Sequence, residues 1–215
     1  MSVKKLIVAL ALSAGIFSAS TASAAILVNG SFEATTDPEL GNPDWDVFAS
    51  IPGWTKFDDT AGIEVQRGNI GGSTAYHGLN KVELDSHGTN SNSGMSQTVT
   101  LDAGSYEFSF AYLGRNNTVG TNQINYDVVG TTVVGFEDSL RGDGTWTIVK
   151  VLFDIAADST EATVNFWAQG TEDTLGGYID DVKISAVPLP PAMLLFGAAM
   201  VGLGWVGRRR KTSAV

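Results

Sequence analysis

Apolar and polar residues alternate with a period of two through most of the middle of this chain. Tyr106, Phe108 and Phe110 interleave with Glu107, Ser109 and Ala111. Ser96–Leu101, Ile124–Val129, Thr163–Ala168 and Gly177–Ile184 follow the same rhythm. Thr145–Phe153 adds another run, with Trp146 and Ile148 read as its core-facing residues and Val149 and Val151 as further candidates. Gly, Asn, Asp or Ser clusters bound each run, and no Ala-Leu-Glu-Lys stretch of helical period intervenes. Period two with regular turns predicts an all-β body, an antiparallel β-sandwich or barrel. Asp102-Ala103-Gly104-Ser105 predicts a hairpin joining the Val99 and Phe108 strands. Asn29–Gln66, with Pro38, Pro43, Pro52 and two tryptophans, predicts long loops. No internal repeat stands out.

The two ends break the pattern. Lys4 and Lys5 precede a 12-residue apolar run, Leu6 to Phe17, and Ala22-Ser23-Ala24 offers a small-x-small cleavage site. Residues 1–24 therefore read as a secretory signal peptide, with Ala25 opening the mature chain. An uncleaved anchor is the alternative, but the run is shorter than the ~20 residues a bilayer core requires. At the other end, Pro188-Leu189-Pro190-Pro191 precedes an apolar helix over 192–207 and the basic cluster Arg208-Arg209-Arg210-Lys211. That helix is short for a full span and suits a thin inner membrane. The basic cluster stays cytoplasmic by the positive-inside rule, which puts residues 25–187 outside as one ectodomain.

Composition sharpens this division. Six of the 13 Lys and Arg lie in the two ends, which leaves the ectodomain 7 basic against 23 acidic residues, a net charge near −16. Such a surface repels phosphate backbones and anionic lipid, which disfavours nucleic acid as a partner. The chain has no cysteine, so neither disulfides nor thiol catalysis apply. Only His77 and His87 offer imidazole, too little for a His-rich metal centre.

Val187-Pro188-Leu189-Pro190, the apolar helix and Arg208-Arg209-Arg210 together resemble the PEP-CTERM sorting signal of Gram-negative bacteria, with Leu189 where the name-giving motif has Glu. The resemblance covers residues 188–215 and the adjoining Val187. It implies an inner-membrane-anchored precursor, an exosortase-type peptidase as partner, and release to the surface or matrix of an exopolysaccharide-producing cell. An ordinary tail anchor is the bland alternative.

Within the ectodomain, Leu27-Val28-Asn29-Gly30-Ser31-Phe32-Glu33, Ile51-Pro52-Gly53-Trp54, Val82-Glu83-Leu84-Asp85, Ser96-Gln97-Thr98-Val99, Phe108-Ser109-Phe110-Ala111-Tyr112 and Tyr178-Ile179-Asp180-Asp181-Val182 occur in order. As a set they resemble the galactose-binding-like jelly rolls, a group that includes many carbohydrate-binding modules. The resemblance implies first and last strands side by side. It also implies a structural Ca2+ held where they meet by Glu33 and one or both of Asp180 and Asp181. Calcium takes six to eight oxygens, and close carboxylates need a cation to offset their repulsion. The alternative is that Asp180 and Asp181 bond loop amides and Glu33 is solvated.

A sugar site needs flat aromatic faces and planar polar groups. Trp45, Trp54, Tyr76, Tyr112, Trp167, Arg115 and Asn116 supply these, with Glu83 and Asp85 alternating on one strand face. Against that, Trp54 after Pro-Gly suits a core end, Trp146 beside Ile148 suits the core, and Arg115 suits an acidic neighbour. Glu83 and Asp85 are too close in sequence to flank a glycosidic bond, and no Gly-x-Ser-x-Gly or His-Glu-x-x-His motif occurs. The leading expectation is a non-enzymatic surface domain that binds or organises extracellular polysaccharide. A structural matrix protein without a sugar ligand and a glycan-active enzyme are the alternatives.

Overall fold

A computed structural model describes residues 26–35, 40 and 44–188. The predicted signal peptide 1–24, Pro190, the helix over 192–207 and Arg208–Arg210 lie outside the described residues. Among the described residues the chain forms twelve strands: β1 (Trp45–Phe48), β2 (Ser50–Ile51), β3 (Trp54–Lys56), β4 (Ile63–Arg67), β5 (Asn80–Glu83), β6 (Gly94–Leu101), β7 (Gly104–Leu113), β8 (Ile124–Val129), β9 (Val134–Glu137), β10 (Thr147–Ile155), β11 (Thr160–Ala168) and β12 (Tyr178–Ala186). They make two six-stranded sheets that face one another. The first runs β1-β4-β5-β12-β7-β10, the second β2-β3-β6-β11-β8-β9. Their ladders are antiparallel.

Alternation decides which side chains fill the gap between the sheets. β7 sends Tyr106, Phe108, Phe110 and Tyr112 inward; β11 sends Ala162, Val164 and Phe166; β8 sends Ile124, Tyr126 and Val128. Phe108, Phe110, Tyr126 and Phe166 meet at centroid distances from 4.9 to 6.4 Å. Tilted and edge-on ring pairs of this kind add about 0.5–1.5 kcal/mol each beyond their burial.

Three expectations need correction. The Asp102–Ser105 turn is not a hairpin, because β6 pairs with β3 and β11 in the second sheet while β7 pairs with β12 and β10 in the first. Leu101 and Tyr106 both point into the core from opposite sheets. The chain turns a corner there, and burial of both side chains outweighs local pairing. On β10 the inward set is Phe153 and Ile155, with Val149 and Val151 packed against the core. Trp146 is only half-buried and Ile148 is exposed on the outer face. Last, the stretch read as long loops holds β1 to β4, strands of two to five residues, too short for a period-two pattern to stand out.

The first and last segments do lie side by side. Register slips on β12 between Asp180 and Lys183, and the freed Val182 N–H donates to the Gly30 carbonyl at 2.8 Å.

Candidate functional site

Loops seal the outward face of the first sheet over β4, β5 and the start of β12, and leave it open over β7 and β10. Glu64 and Gln66 of β4, Lys81 and Glu83 of β5, and Tyr178 and Asp180 of β12 are all fully buried there. Glu64 lies directly opposite Glu83, and Gln66 opposite Lys81. Gln66 Nε2 donates to Glu64 Oε1 at 2.8 Å and to Glu83 Oε2 at 2.5 Å. Arg115 Nη1 donates to both Glu83 oxygens and to the Thr174 carbonyl. Lys81 Nζ caps the carbonyls of Ile70 and Ser73 at 3.1 and 2.9 Å and lies over the Tyr178 ring. His87 sets its main-chain N–H and ring Nδ1 on Glu64 Oε2 at 2.8 and 2.9 Å. Each buried charge is thus tied to a loop. The network fixes the loops and presents no group to a ligand.

Burial pushes the Glu83 carboxyl well above the ordinary range, with Arg115 opposing and Glu64 adding to the rise. Burial also lowers Lys81 to about 8. Asp180 is pushed up to about 7 by burial, against the amide N–H groups of His77, Asp181 and Tyr76. Between the ordinary Asp value near 4 and 7, the folded chain holds a proton the unfolded chain has released, so this group makes stability fall as pH rises across that window. Glu83 acts in the same direction. Chemical denaturation at a series of pH values should show that decline, and Asp180→Asn should make it shallower. An unchanged slope in the variant would remove Asp180 from the explanation.

The structure scatters the residues predicted to bind sugar. Trp54 lies in the core between Phe32 and Phe166, its indole N–H donating to the Asn29 carbonyl at 3.2 Å. Tyr112 is buried, its hydroxyl donating to the Asn122 carbonyl. Glu83 is sealed against Arg115, and Asp85 is sealed with Oδ2 accepting the Asp173 and Leu175 amides. Trp54 and Tyr112 are out of a ligand's reach because they point between the sheets, and Glu83 and Asp85 because the covering loops, invisible to local sequence pattern, bury them. Asn116 spends its side chain on Thr118 and Thr121 of its own loop and on the Leu175 carbonyl of the loop before β12. Trp45, half-buried, stacks on His87 with centroids 4.3 Å apart. Tyr76 is exposed and meets Trp146 edge-on at 6.1 Å, on the first-sheet side. Trp167 stands on the opposite face of the molecule, on the outer side of the second sheet.

The carboxylates predicted for calcium hold amides. Glu33 Oε1 accepts the Leu79 and Asn80 N–H groups, both at 2.9 Å. Asp180 Oδ2 accepts those of Tyr76 and His77 at 2.8 Å, and Oδ1 that of Asp181. Asp181 pairs with Lys183 at 2.5 Å. Between Glu33 and Asp180, Gly78 adopts a positive φ of 73°, and any side chain there would strike the Glu33 carboxyl. Among the described residues no three Asp, Glu or His side chains converge as a metal centre.

Open concavities among the described residues include the following. One of about 370 Å³ is lined by Tyr76, Trp146, Arg141 and Asp143, and a neighbouring one of about 250 Å³ by Tyr76, Ile148, Lys150 and Lys183. Their cations are already engaged: Arg141 on the Gly71 and Gly72 carbonyls, Lys150 on Glu107, Lys183 on Asp181. The third, about 310 Å³, lies on the outer face of the second sheet and is lined by Phe57, Asn92, Gly94, Asp127, Asn165 and Trp167. Register builds it. Trp167 on β11 stands opposite Gly94 on β6, and the Phe57 N–H continues the β3–β6 ladder onto the Gly94 carbonyl at 2.8 Å. A side chain at Gly94 would meet the Phe57 ring at 2.5 Å, so the glycine is what lets that ring lie down. Asn165 Nδ2 donates to Asp127 Oδ1 at 2.7 Å beside the two rings. Phe57 and Gly94 carried no signal in the sequence, because their adjacency to Trp167 is set by strands distant along the chain.

Fold and slot define a class: an antiparallel β-sandwich with an aromatic slot on one sheet face. No family model and no curated protein sequence matches the chain. Among solved structures, TmCBM61 in complex with β-1,4-galactotriose is 21% identical with a TM-score of 0.50, over 77% of this chain and 100% of that one. A cyclase from Fischerella sp. TAU in complex with 4-(1H-indol-3-yl)butan-2-one is 15% identical with a TM-score of 0.53, over 78% of this chain and 100% of that one. At these identities the likeness establishes the fold.

Proposed function

We propose that this chain is a non-enzymatic, surface-displayed glycan-binding domain, and that the slot between Phe57 and Trp167 holds the sugar. The observation that carries this reading is the slot itself: the Phe57 ring laid over Gly94, Trp167 beside it, and the Asn165–Asp127 pair at their side. Pyranose rings offer flat C–H faces to aromatic rings and hydroxyls to planar amides and carboxylates. The galactotriose held by TmCBM61, a domain of the same fold, supports the ligand class. Glycoside hydrolysis needs two carboxylates flanking the bond, and the slot lining contains only Asp127. The paired carboxylates Glu64 and Glu83 are sealed away.

The exit of the chain supports display. The Val187 N–H donates to the Ser105 carbonyl at 2.8 Å, at the end of the sandwich where β7 begins. Gly94 and Trp167 stand at the far end of β6 and β11, about 20 Å away at ~3.3 Å per residue. A sorting signal beginning at Pro188 would hold the slot end of the sandwich away from the membrane until an exosortase-type peptidase processed it. The full chain in detergent should bind neutral polysaccharides on a glycan array and ignore anionic ones, as a body near −16 requires. An array with no binding, in calcium or without it, would falsify the reading.

Calcium enters this reading through the resemblance alone. Glu33 and Asp180 already satisfy loop amides, so chelation is expected to leave the melting temperature unchanged. A fall of several degrees in EDTA, with metal found in the purified protein, would restore a structural cation at these carboxylates.

A further inference from the structure

The slot continues as a track across the whole second sheet. Phe57 stands opposite Gly94, Gly94 opposite Trp167, Trp167 opposite Asn125, and Asn125 opposite Phe136 of the edge strand β9. Directly paired residues share a face, so these five positions form one row on the outer surface. Phe136 is 62% exposed and packs into no part of the core. The aromatic residues stand at the first, third and fifth strand positions of the row, their backbone positions ~10 Å apart at strand separations of 4.7–4.9 Å, with the Phe57 ring leaning over Gly94 toward Trp167.

A second row runs beside the first: Thr55, Ser96, Asn165, Asp127 and Val134. It begins with four polar residues. An aromatic row flanked by a polar row fits a chain with apolar ring faces on one side and hydroxyls along its edge. A linear glycan in extended twofold form presents the same ring face at every second sugar, a repeat closely similar to the spacing of these strand positions, and closest to it between Trp167 and Phe136. A second copy of this chain fits less well, since two bodies near −16 would meet face to face.

Resting on the reading of the slot as a sugar site, we propose that Phe57, Trp167 and Phe136 are alternate subsites for one extended, neutral, linear polysaccharide that crosses the strands. The polymer is gripped along its interior and not by its end. Asn125, between Trp167 and Phe136 and bonded to Gln169 Oε1 at 3.2 Å, faces the intervening sugar.

The test is a length series. β-1,4-linked galacto-, gluco- and xylo-oligosaccharides of two to six residues are titrated into the full chain in detergent, wild type and Phe136→Ala. Affinity for the bound series should climb until the oligosaccharide spans all three rings and then level off. Phe136→Ala should lower affinity for the longest member roughly tenfold and leave the disaccharide unchanged. Its melting temperature should hold, since the ring is exposed. Binding that needs Trp167 but is flat with length, or equally affected by Phe136→Ala at every length, overturns the track and leaves the slot. No binding at any length overturns both.

Discussion

Replacing Arg115 by methionine is expected to destabilise the sandwich by about 3–5 kcal/mol, because it strands the Glu83 carboxylate in a site from which water is excluded. For a body of this size the melting temperature should drop by ~10 °C. The cause is specific. Arg115 donates to both Glu83 oxygens, the carboxylate is fully buried, and Glu64 lies directly across the ladder from it. Without the guanidinium, Glu83 avoids ionising by keeping its proton, and the cost of that grows with pH. The loss should therefore be larger at pH 8 than at pH 4. Glu83→Leu combined with Arg115→Met should recover much of it, because an apolar pair asks for no counter-charge. Denaturation followed by tryptophan fluorescence reads all three variants. If Arg115→Met costs under about 1 kcal/mol and shows no pH dependence, the ion pair is a surface contact and the loops are held by something else.

The second large effect concerns binding. Trp167→Ala should weaken glycan binding by about 2 kcal/mol or more, roughly 30-fold, as removal of a central aromatic contact does. The ring sits outside the core cluster, so the melting temperature should move by a few degrees at most. Trp54→Ala is the contrast. That ring is buried against Phe32 and Phe166, and its loss should cost about 3–5 kcal/mol of stability. Loss of binding without loss of fold at Trp167, and loss of fold at Trp54, separates a ligand contact from a structural one.

Local alternation carried the strands with one clear apolar face: β6, β7, β8, β11 and β12 lie where their patterns put them. It failed where both faces of a strand are buried. β4 reads Ile63-Glu64-Val65-Gln66, and its polar half is covered by loops instead of water, so period two did not point to a sheet interior. It failed again where partner choice is non-local. Asp102–Ser105 has the composition of a hairpin turn, yet nothing nearby in sequence says that β6 and β7 belong to different sheets. The site suffered for the same reason. Phe166 and Trp167 are adjacent aromatics in one alternating run, so the sequence leaves Trp167 undecided between the core and the surface. Phe57 and Gly94 could not be joined to it without the β3–β6–β11 register. Glu83 and Arg115 read as ligand groups in the sequence because charged residues usually face water; the loops that bury them leave no local mark.

The most direct test of the slot is the response of the tryptophans to ligand. Labelled with 5-fluorotryptophan, the full chain carries five reporters: Trp45, Trp54, Trp146, Trp167 and Trp205. Fluorine NMR during titration with a polysaccharide selected on the array should move the Trp167 signal and leave those of Trp45, Trp54 and Trp146 in place. A shift at Trp146 with Trp167 unmoved would put the ligand in the Tyr76 cleft and contradict the slot.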